Sequence, residues 1–309
     1  MTNPQRIGLQ SGRFFDKMTA KHPRGENAMI DVCNERVMRQ LLAEYGFHFS
    51  KAKGQNFLTD RSVPQRIVAE AGVDAACGAV EIGPGFGPLT QELCRRAGRV
   101  VAIELDMALR PVLARTVGEF ENLELVFADA MKLDLAALVR EKLGGLRPVA
   151  CANLPYYITS PVLTKLLESR AFFAVTVMVQ KEVALRICAA PGSADYSAFS
   201  VFCQYYAAPR LLFDVPPEVF MPRPKVTSAV LTLQTHPEPP VAANETALFR
   251  VVRAAFAQRR KTLLNSLSAT LPERSRAEWN EVLARCGIDP AVRGETLSLR
   301  DFAAIANDI

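Results

Sequence analysis

Between residues 79 and 180, short apolar runs alternate with segments whose apolar residues recur every three or four positions. The runs are AVEIG (79–83), VVAIEL (100–105), LELVFA (123–128), PVACAN (148–153) and AVTVMVQ (174–180). Their length and β-branched content predict buried strands. The segments near 88–97, 106–117, 134–143 and 160–169 predict the helices between them. Strand, helix, strand at this spacing demands crossover connections, and so a mostly parallel sheet covered on both faces. Two further strand candidates, 209–214 and 226–235, flank the proline-rich VPPEVFMPRP and predict an antiparallel pair at the sheet edge.

Outside this core the rhythm changes. Residues 1–30 are polar, mixed in charge and without a period, which predicts a loose, disordered extension, with Met29 a possible alternative start. From Asn34 a helix places Val37, Leu41, Leu42 and Tyr45 on one face. The loop SKAKGQNFLTD (50–60) follows, and Asp60 is placed to cap a helix reaching Ala71. At the other end, THPEPPVAAN (235–244) reads as a linker, and the segments 245–257, 261–269, 275–286 and 298–307 all read as helical. The expected organisation is an α/β domain over 31–235 and a small all-helical domain over 236–309.

Composition narrows the class. The chain has 309 residues, 49% of them hydrophobic, yet no charge-free apolar run of membrane-spanning length. Its N-terminus lacks the pattern of a secretory signal, so a soluble, cytoplasmic protein is expected. The seven cysteines form no CxxC pair, which suits reduced thiols, and the three histidines stand apart from other ligand types, so no metal site is expected. A net charge of +5 is uninformative as a sum, but its distribution is not. From Phe249 to Lys261 the chain carries Arg250, Arg253, Arg259, Arg260 and Lys261 with no acid. Arg223 and Lys225 flank the proline-rich loop, and Lys51 and Lys53 precede GQNFL. Such clusters can neutralise phosphates, although the same helix would also serve as a solvated face.

The chemistry starts at VEIGPGFGPLT (80–90), where Gly83, Gly85 and Gly87 stand between a predicted strand and helix. Glycine allows a tight turn and close approach of a ligand to the backbone, and Pro88 suits a first helical turn. A structural turn rich in glycine would look the same. A dinucleotide fingerprint requires glycine or alanine where Pro88 stands, which disfavours a nicotinamide-dependent dehydrogenase. The pattern instead resembles the E-x-G-x-G-x-G motif of S-adenosylmethionine-dependent methyltransferases. Glu104 ends the second strand, where a carboxylate can accept from a ribose diol. Asp129 ends the third, where it can accept from an adenine amine. Each acid alone would also serve as a helix N-cap; together at consecutive strand ends they favour an adenosyl ligand.

Asn153 ends the fourth strand beside the same crevice. Pro155 biases Leu154 toward an extended conformation, so the Asn153 oxygen and the Leu154 carbonyl can project together as two acceptors. Tyr156 adds a flat apolar face. The set suits an exocyclic nucleobase amine, whose lone pair must be turned out of conjugation before it attacks a methyl group. A strand-end turn stiffened by proline is the alternative.

GQNFLTD, VEIGPGFGPLT, AIELD, ADA, NLPYYITSP, QKEVALR and VPPEVFMPRPKVTSAV occur in this order, followed by AFAQRRKTLLNSL. Over roughly residues 35–309 the chain resembles the rRNA adenine N6,N6-dimethyltransferases, above all the bacterial small-subunit enzymes linked to kasugamycin sensitivity. The resemblance implies a Rossmann-like class I methyltransferase sheet, mostly parallel with an antiparallel edge strand, and a helical RNA-binding tail. It implies S-adenosylmethionine as cofactor, held by Asn56, Leu58, Gly83, Gly85, Glu104, Asp129 and Asn153. Catalysis would fall to Asn153, Leu154, Pro155 and Tyr156, with Phe220 as a second ring against a flipped adenine, unless Phe220 is simply a core residue. Lys181 and Glu182 have no evident chemical role. RNA would be held by Arg223, Lys225, Arg253, Arg259, Arg260 and Lys261. The implied substrate is a pair of adjacent adenosines in the 3′-terminal hairpin loop of small-subunit rRNA, within an immature 30S subunit met by a monomeric enzyme. Two rivals share these features: the large-subunit dimethyltransferases of macrolide resistance, and an assembly factor whose RNA binding outweighs its catalysis.

Overall fold

The computed structural model describes residues 30–46 and 56–309; the expectations for residues 1–29 and for Lys51 and Lys53 lie outside the described residues. The described chain begins with α1 (Glu35–Glu44), β1 (Phe57–Leu58), α2 (Ser62–Glu70), β2 (Cys77–Ile82), α3 (Pro88–Arg96) and β3 (Arg99–Glu104). It continues with α4 (Arg110–Thr116), β4 (Leu123–Phe127), α5 (Leu135–Lys142), β5 (Arg147–Asn153), α6 (Thr159–Glu168) and β6 (Ala174–Gln180). Next come α7 (Lys181–Cys188), α8 (Ala198–Tyr206), β7 (Ala207–Val215), β8 (Phe220–Met221) and β9 (Ser228–Thr235). Helices α9 (Glu245–Phe256), α10 (Leu263–Thr270), α11 (Arg276–Arg285) and α12 (Leu299–Asp308) close the chain.

Seven strands form one sheet in the order β4-β3-β2-β5-β6-β9-β7. From β4 through β6 neighbouring strands are parallel, and β9 runs antiparallel to both β6 and β7. The expected antiparallel pair is therefore present. Its reversed strand, however, lies one place in from the edge, because β9 returns between β6 and β7 and leaves β7 outermost. Neither α7 nor α8 was anticipated by the apolar pattern. Nor was the two-residue pairing of β1 with β8, which sets Phe57 opposite Met221 and Leu58 opposite Phe220.

Strand alternation divides the core between the two faces of the sheet. Val80, Ile82, Val101, Ile103, Val175 and Val177 pack with apolar residues of α5, α6 and α8. Ala79, Val100, Val149, Cys151 and Met178 pack on the other side with those of α2 and α3. Each Val or Leu side chain so enclosed contributes ~1.5–3 kcal/mol.

The helical tail shares the first of these cores. Leu248 and Val251 of α9 and Phe302 and Ile305 of α12 belong to the same buried cluster as Leu166 of α6 and Tyr205 of α8. Glu245, the first residue of α9, accepts hydrogen bonds from Arg170 Nη2 (2.9 Å), Tyr205 Oη (3.3 Å) and Tyr206 Oη. The architecture changes near residue 235, but packing does not break there, and Asp31–Ile309 is one compact unit. Among the described residues no helix is long and apolar enough to cross a membrane.

Candidate active site

The chain runs outward from β2 through β3 to β4, then returns to β5 on the other side of β2. Such a reversal of strand order leaves a crevice beyond the carboxyl ends of the strands. Here it is a cleft open to solvent at its mouth. Its walls include Asn56, Leu58, Gly83, Gly85, Glu104, Asp129, Asn153, Leu154, Pro155 and Tyr156. All the residues expected to hold the cofactor, and four of the five expected to act in catalysis, thus converge from segments about a hundred residues apart.

Glycine is required in the loop after β2. Gly83 and Gly85 have φ of +71° and +62°, a region costly for other L-residues. A Cβ on Gly83 would meet nothing within 4 Å, so the backbone is bare to the cleft, whereas one on Gly85 would come within 2.8 Å of Phe57 Cε1. Pro88 opens α3, as expected, with Gly87 as its N-cap. The loop is tied to the next strand by Glu104, whose Oε2 accepts from Gly85 N (3.2 Å) and whose Oε1 accepts from Asp106 N (2.8 Å). Burial pushes the Glu104 carboxyl above its ordinary value; the two backbone N–H groups oppose that rise.

Asp129 serves as an N-cap and also faces the cleft. It caps the 3₁₀ turn Ala130–Lys132 by accepting from Met131 N (2.9 Å), and it remains on the cleft wall.

At the tip of β5, Asn153 Nδ2 donates to the Asn56 carbonyl (3.2 Å), joining the N-terminal loop to the strand end. The Leu154 N–H is spent on the Met178 carbonyl (3.1 Å), and its side chain is buried. Among the described residues no hydrogen bond reaches Asn153 Oδ1 or the Leu154 carbonyl. Pro155 carries the chain into the turn Tyr156–Ile158, closed by Thr159 Oγ1 donating to the Pro155 carbonyl (3.3 Å). The half-buried Tyr156 is pinned by a 2.8 Å hydrogen bond to Ser228 Oγ of β9, and burial raises its phenol pKa.

Phe220 is placed differently. It is not on the cleft wall; it is 4% exposed and packed in the core with Leu58, Met178 and Val230. The β1–β8 pairing sets it opposite Leu58, beneath the wall that Leu58 contributes. Of the expected RNA contacts, Arg223 pairs with Glu218, and Arg259 reaches Glu295 (3.5 Å) and the Ala194 carbonyl. Lys225, Arg253, Arg260 and Lys261 are exposed and make no ion pair among the described residues. Arg250 pairs with Glu273.

Among the cleft residues that were not foreseen, two stand out. Tyr157 stands 58% exposed on the cleft wall, and Glu81 is buried within it. The acid was visible as the first letter of the glycine motif; its lack of a partner was not.

A mostly parallel sheet with one reversed strand next to its edge, and a glycine loop followed by acids at successive strand ends, defines a class I S-adenosylmethionine-dependent methyltransferase. Residues 46–309 match the family described as ribosomal RNA adenine dimethylase, and the chain belongs to that family. The ribosomal RNA small subunit methyltransferase A of Geobacillus thermodenitrificans is 44% identical over 282 residues, 90% of this chain and 96% of that protein. The protein of the same name from Pelotomaculum thermopropionicum is 47% identical over 287 residues, 90% of this chain and 97% of its own. Among solved structures, a dimethyladenosine transferase from Plasmodium falciparum shares the fold with TM-score 0.67 and 24% identity, over 81% of this chain and 95% of that one. So does the 23S rRNA methyltransferase ErmE, with TM-score 0.61 and 24% identity, over 82% of this chain and 98% of that one.

The methyl donor is S-adenosylmethionine, and the cleft fits it. The backbone at Gly83 is open to a ligand, Glu104 keeps lone pairs beyond its two backbone bonds, and Glu81 Oε2 is buried without a hydrogen bond.

Proposed function

We propose that this chain dimethylates N6 of two adjacent adenosines in the 3′-terminal hairpin loop of small-subunit rRNA. It would act as a monomer on an immature 30S subunit in the cytoplasm. Identities of 44% and 47% to proteins named small subunit methyltransferases support that target over the large subunit. One observation carries the chemistry: two unfilled acceptors, Asn153 Oδ1 and the Leu154 carbonyl, stand at the tip of β5 in the glycine-loop cleft.

Bound there, S-adenosylmethionine supplies a methyl group already activated by the positive charge on sulfur. Asn56, Leu58, Gly83, Gly85, Glu104 and Asp129 would hold the donor. Asn153 Oδ1 and the Leu154 carbonyl would accept the two N6 hydrogens of an extruded adenine, favouring a nitrogen whose lone pair points out of the ring plane. Each transfer exchanges an N6 hydrogen for a methyl group, the proton passing to solvent. No strong base is needed, because orientation and fixed dipoles supply the rate. Tyr156, held by Ser228, offers the ring on which the base would stack, an interaction worth ~1–3 kcal/mol. Phe220 would support that wall from beneath. Lys225, Arg253, Arg260 and Lys261 are the cations free to meet phosphates, with Arg223 and Arg259 available by exchange of their present partners.

The test is Asn153→Ala, assayed with labelled donor and immature small subunits, followed by mass spectrometry of the nucleosides. Transfer should fall ~10²–10³-fold while S-adenosylhomocysteine and subunits still bind. Wild-type transfer by this variant would overturn the assignment of Asn153. Dimethyladenosine appearing in large-subunit rRNA instead would overturn the target.

A further inference from the structure

Glu81 plays no part in the chemistry above, yet it is the most unusual group in the cleft. It is the penultimate residue of β2, 1% exposed, and lines the cleft. Its Oε2 has no hydrogen-bond partner. Among the described residues, no positively charged group acts on it. Thr90 and Cys94 face it from α3, Glu104 from β3 and Cys151 from β5. The Thr90 hydroxyl is near enough to favour the ionised acid slightly, but Thr90 Oγ1 also lacks a hydrogen bond of acceptable geometry. A carboxyl enclosed without a partner is costly to ionise. Here burial, with Glu104 adding to it, pushes Glu81 up to about 8.

Since no described residue supplies a balancing cation, one carried by the occupant of the cleft would do so. The reading of the cleft as the donor site, on which this step rests, supplies one occupant with a positive sulfur and, after transfer, one without. We propose that Glu81 senses the charge on the sulfur of the bound nucleoside: it ionises against the sulfonium and takes a proton back from solvent when the sulfur becomes a neutral thioether. The balance is complete. The S–CH₃ bond breaks as the N6–CH₃ bond forms, its electron pair stays on sulfur, the displaced N6 proton passes to solvent, and Glu81 takes one proton from solvent as the attraction disappears. Glu81 would thus favour the charged donor over the spent product and help to clear the cleft.

The two occupants share their ribose, adenine and amino-acid groups, so proton exchange at Glu104 or at the ligand's ammonium cancels in a comparison. Isothermal titration calorimetry at pH 7, in buffers of different ionisation enthalpy, counts protons released on binding. The unsubstituted chain should release nearly one more proton with S-adenosylmethionine than with S-adenosylhomocysteine. Donor affinity should rise about tenfold per pH unit below pH 8, while product affinity stays nearly flat. In Glu81→Gln the extra proton and the pH slope should both vanish, and the affinities should converge. Equal proton release for the two ligands, or a difference that survives Glu81→Gln, overturns the proposal. The two-ligand comparison decides even if the variant fails to fold. Failure of either ligand to bind the unsubstituted chain would instead remove the reading of the cleft itself.

Discussion

Replacing Gly83 or Gly85 with alanine separates the two reasons for glycine in the loop after β2. Both positions have positive φ, and an L-residue there costs ~1–2 kcal/mol. At Gly83 the cost ends there for the free protein, because the new methyl group meets no atom within 4 Å. At Gly85 the methyl group lies 2.8 Å and 3.0 Å from two atoms of the Phe57 ring. That ring is buried, packed edge-on against Phe86 at 4.7 Å between centroids, and its residue is paired with Met221. Moving it should add ~1–3 kcal/mol. Urea unfolding without ligand should therefore give a loss of ~1–2 kcal/mol for Gly83→Ala and ~2–5 kcal/mol for Gly85→Ala. Binding should show the opposite emphasis per unit of stability lost. The Gly83 methyl group occupies space that a bound nucleoside needs, so S-adenosylhomocysteine affinity should fall at least ~10-fold, or ~1.4 kcal/mol. Equal destabilisation by the two substitutions, or wild-type binding by Gly83→Ala, would refute this account of the loop.

Arg260→Ala with Lys261→Ala should reduce the salt dependence of RNA binding, the slope of log K against log salt becoming shallower by ~1 per cation, with cofactor affinity unchanged; an unaltered slope would remove these residues from the RNA contact. Glu245→Gln weakens the charge-assisted bonds to Arg170, Tyr205 and Tyr206 and should destabilise the chain by ~1–2 kcal/mol in urea. Burial tends to raise the Glu245 carboxyl, but bonds from Tyr206 and Arg170 outweigh it and hold it below 4.5, so this contribution should be present at neutral pH and lost as pH falls through that depressed value. Glu81 has the opposite sign. A folded-state value of about 8 against 4.5 makes the ligand-free protein most stable below pH 4.5 and progressively less so as pH rises through 8. The full change is on the order of 5 kcal/mol. Glu81→Gln should flatten unfolding free energy across that window, and parallel curves for the two proteins would contradict the burial argument.

Whether a feature was legible in the sequence depended on how locally it is determined. β2, β3 and β5 announce themselves because burial on both faces makes them short, continuous apolar runs, and because glycine, acid and amide residues stand where each run stops. Helix α8 does not. AFSVFCQYY gathers its four aromatic residues on one side, but it is only nine residues long and has no charged residue to mark a solvent face, so the apolar pattern does not single it out as a helix. Its capping box uses Ser200 where the usual signature has Glu or Gln, and its helicity comes from burial between the sheet and α9. Helix α7 follows β6 with no turn residue between them to mark the change.

The β1–β8 pairing is less visible still, being two residues long on each side and joined across more than a hundred and fifty positions. It explains why Phe220 could not be placed from the sequence. An aromatic residue ahead of a proline-rich loop suits a stacking platform and a core plug equally, and only the strand register chooses between them. That register also links two parts of the site that the sequence presents as separate motifs. Asn56, whose carbonyl accepts from Asn153, immediately precedes the β1 residues Phe57 and Leu58, and these pair with Met221 and Phe220. The amide at the tip of β5 and the loop bearing Arg223 and Lys225 are therefore connected through the buried pair Leu58 and Phe220. A substitution at Phe220 should disturb the cleft by shifting Leu58 and Asn56, even though the ring itself does not reach the cleft wall.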